Sequence, residues 1–125
     1  MYLLDTHILL WWLQGDDDKL GQKITRIIAS PDHEIWVSAV SIWEIVIKRA
    51  IGKLIIGDEF LPIVQESFQH LPITMEDAFA VRQLPLYHQD PFDRLLISQA
   101  NLHGLTLITE DKNIWRYSVK CLALQ

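Results

Sequence analysis

The sequence predicts an α/β domain built on a mainly parallel central sheet with helices on both faces. Three observations lead there. Apolar, strand-like runs occur at 1–5, 34–38 and 105–109; segments of helical period lie between them; and breakers or capping residues mark the joints. Strands separated by helices need crossover connections, which make neighbouring strands parallel and place helices over the sheet. With 125 residues, half of them hydrophobic, the chain can bury one real core, so residues 1–125 are read as a single domain.

Met1 to Asp5 is a short buried strand, and Thr6 to Leu13 a helix carrying Trp11 and Trp12. Gly15 ends it, and Asp16, Asp17 and Asp18 form a solvated turn. Leu20, Ile24, Ile27 and Ile28 recur at helical spacing up to Ser30, where Pro31-Asp32 closes the segment. EIWVS (34–38) is a strand, and Ser38 or Ser41 caps a helix that runs to about Ala50 and stops at Gly52. Asp58 to Gln69 is helical. Leu71-Pro72-Ile73 suits a sheet edge or strand start, because proline donates no ladder hydrogen bond. A helix from Met75 to Arg82 precedes an aperiodic loop over 83–90. Pro91 opens a helix to His103 with Gly104 as its stop. LTLIT (105–109) is the clearest strand, Asp111 to Trp115 a helical turn, and SVKCLAL (118–124) a last strand.

The lone Cys121 rules out an intramolecular disulfide and suits a buried thiol in a reducing compartment. The run ILLWWL (8–13) is far shorter than the roughly 20 residues that cross a bilayer, and no basic segment precedes it, so a soluble cytoplasmic protein is expected. A net charge of −5 argues against general electrostatic attraction to nucleic acid. Lys48, Arg49 and Lys53 are read as a solvated helix end, complementing the dipole, with phosphate contact as the alternative. Trp36 and Trp43 are assigned to the core; other tryptophans suit an interface.

Asp5, Glu44, Asp93 and Asp111 stand where strands give way to helices. Ligands of an open α/β sheet bind beyond the carboxyl ends of its strands, so four acids remote in sequence can meet there. Gathered carboxylates cannot all remain ionised without divalent cations, which makes a metal site the leading functional reading. Each acid also has a local explanation. Asp5 and Asp111 can cap the helices that follow them, Glu44 stands at capping-box spacing from Ser41, and Asp90-Pro91-Phe92-Asp93 matches a cap, a first-position proline and a first-turn acid. Glu44 and Asp93, however, lie among apolar neighbours, where an ionised group needs a partner. Oxygen donors without a Cys or His cluster favour Mg²⁺ or Mn²⁺ over zinc. His88 is the one histidine near a proposed acid loop.

The segments LLDTHILLWWL, SAVSIWEIVIKRAIGKL, HQDPFDRLLISQA and LTLITED occur in an order that resembles PIN-domain ribonucleases, and the whole is similar to the VapC toxins of type II toxin–antitoxin systems. The resemblance covers nearly the entire chain. It implies a PIN-like three-layer sandwich, hydrolysis of RNA by metal-activated water, a cognate antitoxin protein as partner, and a homodimer. The family's acidic quartet falls on Asp5, Glu44, Asp93 and Asp111, as ligands of Mg²⁺ or Mn²⁺ and as catalytic residues. Thr6, Ser41 and Thr109 match its small hydroxyl positions. Asp90 and Glu110 are further acids near the site, and Arg94 is a candidate for touching phosphate or orienting an acid.

Two other readings differ in class. A haloacid dehalogenase-like phosphatase also begins with a strand and an aspartate, but His7 stands where its general acid belongs. A non-catalytic PIN-like module would use its acids to receive basic partner segments. No glycine-rich phosphate loop is present.

Overall fold

A computed structural model describes residues 1–124 of the chain. In chain order the elements are β1 (Tyr2–Leu4), α1 (Thr6–Leu13), α2 (Asp17–Ala29), β2 (Ile35–Ser38), α3 (Ala39–Ala50), α4 (Phe60–Ser67), β3 (Gln69–Leu71), α5 (Met75–Ala80), a 3-10 turn (Val81–Gln83), α6 (Pro91–His103), β4 (Thr106–Ile108), α7 (Lys112–Trp115) and β5 (Cys121–Leu122). The five strands form one sheet in the order β3-β2-β1-β4-β5, with every pairing parallel. The expected α/β architecture is therefore present.

The pleat of the central strands divides the core. Leu3 pairs with Leu107 and Leu4 with Ile108, and all four are fully buried. Successive side chains point to opposite faces. Leu4 and Ile108 accordingly pack with Ile8 and Leu9 of α1, Ile24 of α2 and Val64 of α4, whereas Leu3 and Leu107 pack with Leu96, Ile97 and Ala100 of α6 and Ile114 of α7. Helix α3 serves both sides, giving Val40 to one cluster and Ile45 to the other. It also follows β2 without a loop, which brings Glu44 near the strand ends.

Several boundaries depart from the expected ones. Asp16 to Asp18 are not a solvated turn: Asp16 Oδ1 accepts the Lys19 amide at 3.2 Å, and Asp17 and Asp18 fill the first turn of α2, where they complement its dipole. That helix kinks at Gly21, whose φ of +78° suits only glycine. Helix α4 stops at Ser67, and the edge strand is 69–71 rather than 71–73, with Pro72 just beyond it. Ser38, not Ser41, caps α3 by accepting the Val40 amide at 3.0 Å. Trp43 is 51% exposed, edge-on to Phe92, and Cys121 is only partly buried.

A buried polar knot ties α5 and α6 to the end of β2. Asp77 accepts from the Thr74 amide, Gln99 Nε2 and His103 Nε2, each at 3.0 Å, while Gln99 Oε1 accepts the Ser38 hydroxyl at 2.5 Å. Desolvation pushes the Asp77 carboxyl upward, but the donors of Gln99, Thr74 and His103 outweigh it and hold the group below 3.8. A lowered folded pKa means this stabilisation is complete above the unfolded value and is lost as pH falls through the folded one. Asp77→Ala is expected to lower unfolding free energy at pH 7 by roughly 3 kcal/mol. Urea titration checks it, and the gap to wild type should narrow below pH ~4 as the native carboxyl protonates.

Candidate active site

Asp5 follows β1 and caps α1. Its Oδ1 accepts the amides of His7 at 2.8 Å and Ile8 at 3.2 Å, and its Oδ2 accepts the Thr109 hydroxyl from the end of β4. One carboxylate thus performs the capping role and reaches across the sheet. Asp111, two residues beyond Thr109, caps α7 through the Asn113 amide at 2.8 Å, and its own amide donates to Thr109 Oγ1 at 3.1 Å. Asp90 likewise caps α6, accepting the amides of Phe92 and Asp93 at 2.9 and 3.0 Å. Thr6 donates to Ser41 at 3.0 Å, fastening α1 to α3 beside Asp5 and Glu44.

Glu44 does not fold back as a capping-box acid. It lies buried within α3, 4% exposed, with Lys48 Nζ 2.8 Å from Oε2, while Oε1 is buried with no hydrogen-bond partner. Lys48 therefore belongs to the site rather than to a solvated helix end. Arg49 instead pairs with Asp58 at 2.6 Å.

Asp93 lies in the first turn of α6, with His88 Nε2 at 3.2 Å from its Oδ2. Its carboxyl is pushed up to about 8, first by burial and then by the negative charges of Asp90, Asp111, Asp5 and Glu44. Burial also raises Asp5 above its ordinary value, against the Thr109 hydroxyl and the amides of Ile8 and His7. The four quartet acids, together with Asp90, thus share one electrostatic field.

Arg94 does not present its charge to a phosphate. It is 8% exposed and donates to Pro85 O at 2.7 Å, Tyr117 Oη at 3.0 Å, and the carbonyls of Leu84 and Val81 at 3.4 and 3.5 Å. Glu110 Oε2 accepts the Leu124 amide at 3.1 Å and fastens the C-terminal segment. Residues 83–90 gave no periodic signal and nothing in the sequence marked Tyr117 as a partner of His88 and Arg94, whereas the i,i+4 spacing of Glu44 and Lys48 on a helix was a signal for their pairing. His7 and Trp11 join Asp5, Glu110 and Asp111 in lining an open cleft of about 280 Å³. A more apolar groove of about 370 Å³ lies between α4 and the β3 edge, and no carboxylate lines it.

Among the described residues, no group of three or more His, Cys, Asp or Glu side chains is arranged to hold a metal ion as it stands. Thr109, Lys48 and His88 each engage an oxygen of a quartet acid. The donor chemistry nonetheless fits a hard divalent cation. All four are carboxylates, Glu44 Oε1 is buried and unsatisfied, and Asp93 is held at a raised pKa first by burial and then by its acidic neighbours. Such a field favours bound positive charge.

The PIN domain family model matches residues 2–120. The chain is 28% identical to Ribonuclease VapC22 of Mycobacterium tuberculosis over 116 residues, covering 90% of this chain and 88% of that protein. It superposes on a chain of VapBC2 from Rickettsia felis, solved bound to a DNA fragment from their promoter, with a TM-score of 0.75 at 17% identity, covering 98% of this chain and 97% of that one. A toxin–antitoxin complex from Klebsiella pneumoniae matches with a TM-score of 0.69 at 20% identity, covering 100% and 98%.

Proposed function

The chain belongs to the PIN domain family, and on that footing we propose that it is a divalent-metal-dependent endoribonuclease, the toxin of a type II toxin–antitoxin pair. Its substrate is RNA and its partner a cognate antitoxin protein; it acts in the cytoplasm as a homodimer of single-domain subunits spanning 1–125. The observation that carries the reading is the shared field on Asp93, to which Asp5, Glu44 and Asp111 all contribute. Its similarity to Ribonuclease VapC22 and to a chain of the Klebsiella pneumoniae toxin–antitoxin complex supports it.

Asp5, Glu44, Asp93 and Asp111 would hold Mg²⁺ or Mn²⁺. When bound, such an ion supplies water of lowered pKa and positive charge for the phosphoryl transition state. The chain's own groups prepare the place. Thr109 fixes Asp5 relative to the Asp111 backbone, the Thr6–Ser41 pair holds α1 against α3, and the α6 cap at Asp90 sets the first turn that carries Asp93. Asp90 adds negative charge beside Asp93. Lys48 neutralises one oxygen of Glu44.

The purified chain is expected to cleave single-stranded RNA with Mg²⁺ or Mn²⁺ and to lose that activity in EDTA. Cleavage unaffected by chelation would remove the metal, and no cleavage with either ion would favour the binding-module reading. A pH test follows from Asp93. Its folded pKa of about 8 exceeds the unfolded 3.8, so the protonated fold is the favoured one and metal-free stability declines as pH rises across that window. Mn²⁺ should therefore raise the thermal midpoint more at pH 8 than at pH 5, and at pH 7 its binding should release about one proton per site. Equal metal shifts at the two pH values would overturn this account of Asp93.

A further inference from the structure

The loop between the 3-10 turn and α6 carries His88, both of whose ring nitrogens are engaged: Nδ1 lies 2.7 Å from Tyr117 Oη and Nε2 lies 3.2 Å from Asp93 Oδ2. We propose that Arg94, Tyr117 and His88 form a positioning relay that fixes the imidazole as a donor to Asp93 and thereby holds the orientation of that carboxylate. Its last step rests on the nuclease reading, in which Asp93 is a metal ligand; the relay itself does not.

The argument is an inventory of hydrogens. Tyr117 is 4% exposed, and its oxygen has two lone pairs and one hydrogen to place. Arg94 Nη1, which can only donate, approaches that oxygen at 3.0 Å, and the His88 amide approaches at 3.3 Å. Both lone pairs are then occupied, so the hydroxyl hydrogen must leave toward another acceptor. His88 Nδ1 at 2.7 Å is closer than the His88 carbonyl at 3.5 Å. Nδ1 therefore accepts, and a neutral ring with Nδ1 bare carries its proton on Nε2. That proton points at Asp93 Oδ2. The opposite tautomer would oppose two hydrogens at Tyr117.

Arg94 anchors the relay as well as polarising it. Its bonds to the carbonyls of Val81, Leu84 and Pro85 hold the loop that leads to His88, and Tyr87 of the same loop packs edge-on against Tyr117 with ring centres 5.0 Å apart. Arg116 Nη1 donates to Tyr87 O at 3.1 Å from the other side. The side chains facing His88 are thus Tyr117 from the segment after α7 and Asp93 from α6, while Arg94 acts on it through Tyr117. A histidine that merely filled space would leave one nitrogen free to choose its proton.

Nitrogen-15 NMR of the metal-free protein in alkaline buffer reads the ring directly. The expected His88 signature is an unprotonated Nδ1 and a protonated Nε2. Tyr117→Phe, which removes only the hydroxyl, should give mixed tautomers and weaken Mn²⁺ binding about 10-fold, within the range for partners that orient metal ligands. His88→Gln, which retains an N–H donor, should keep more Mn²⁺ affinity than His88→Ala. A protonated Nδ1 in the wild type, or an unchanged ring spectrum in Tyr117→Phe, would overturn the relay. So would wild-type Mn²⁺ affinity in His88→Ala. Wild-type protein with the expected tautomer but no Mn²⁺ binding would uphold the relay and instead defeat the nuclease reading.

Discussion

Asp5→Asn is expected to cut Mg²⁺- or Mn²⁺-dependent RNA cleavage by at least about 100-fold, since losing a ligand should exceed the 10–100-fold cost of disturbing a ligand's supporting partner. The fold should survive. Asparagine keeps an Oδ1 able to accept the His7 and Ile8 amides, so the α1 cap is retained. At the other oxygen the amide becomes a donor, which the rotatable Thr109 hydroxyl can accept. What disappears is a buried negative charge whose desolvation already raises its pKa and which raises that of Asp93. The metal-free variant should therefore melt at a higher temperature than wild type in alkaline solution, because burial makes the wild-type Asp5 charge costly. Initial cleavage rates with Mn²⁺, beside melting curves in EDTA, test both halves. Turnover near wild type would exclude Asp5 as a ligand.

Ile108→Ala should produce the largest loss of stability, about 3–4 kcal/mol, with a fall in melting temperature of roughly 10 °C or more. Ile108 is fully buried in β4, directly beside Leu4, and its carbonyl receives the Asp5 amide at 3.1 Å. Truncation opens a cavity in the centre of the sheet, where neighbours on both strands are fixed by the ladder and relax little. Because Thr109 and Asp111 follow immediately, metal affinity should weaken along with stability. Ile55 is the natural control. It is fully exposed, and Ile55→Ala should change unfolding free energy by no more than about 0.5 kcal/mol in chemical denaturation.

Asp5 and Asp111 were legible in the sequence because each follows a short apolar run closely and precedes a helix, a joint that capping chemistry and ligand binding both favour. Capping does not exhaust such a group, since a carboxylate has two oxygens: Asp5 caps with one and meets Thr109 with the other. The misread segments failed for physical reasons. Asp16 to Asp18 have the composition of a turn, yet an acidic first turn is also how a helix begins. The edge strand 69–71 has too little apolar pattern of its own, and pairing with β2 defines it. Arg94 adjoins Asp93 in sequence, but one residue is a 100° step around a helix and directs the two side chains to different surroundings. Trp43 looked like core because its neighbours are apolar, whereas its position on α3 leaves half of it in solvent. Contacts such as Thr109 with Asp5, 104 positions apart, depend on sheet order, which chain-local patterns do not encode.

Strands β1 and β4 are neighbours in the sheet yet lie far apart along the chain. Tyr2–Leu4 leaves a ribosome long before Thr106–Ile108 can slide in alongside. Asp5 lacks its Thr109 partner throughout that interval. A growing polypeptide consequently cannot fasten Asp5 in its final setting until these late segments have emerged.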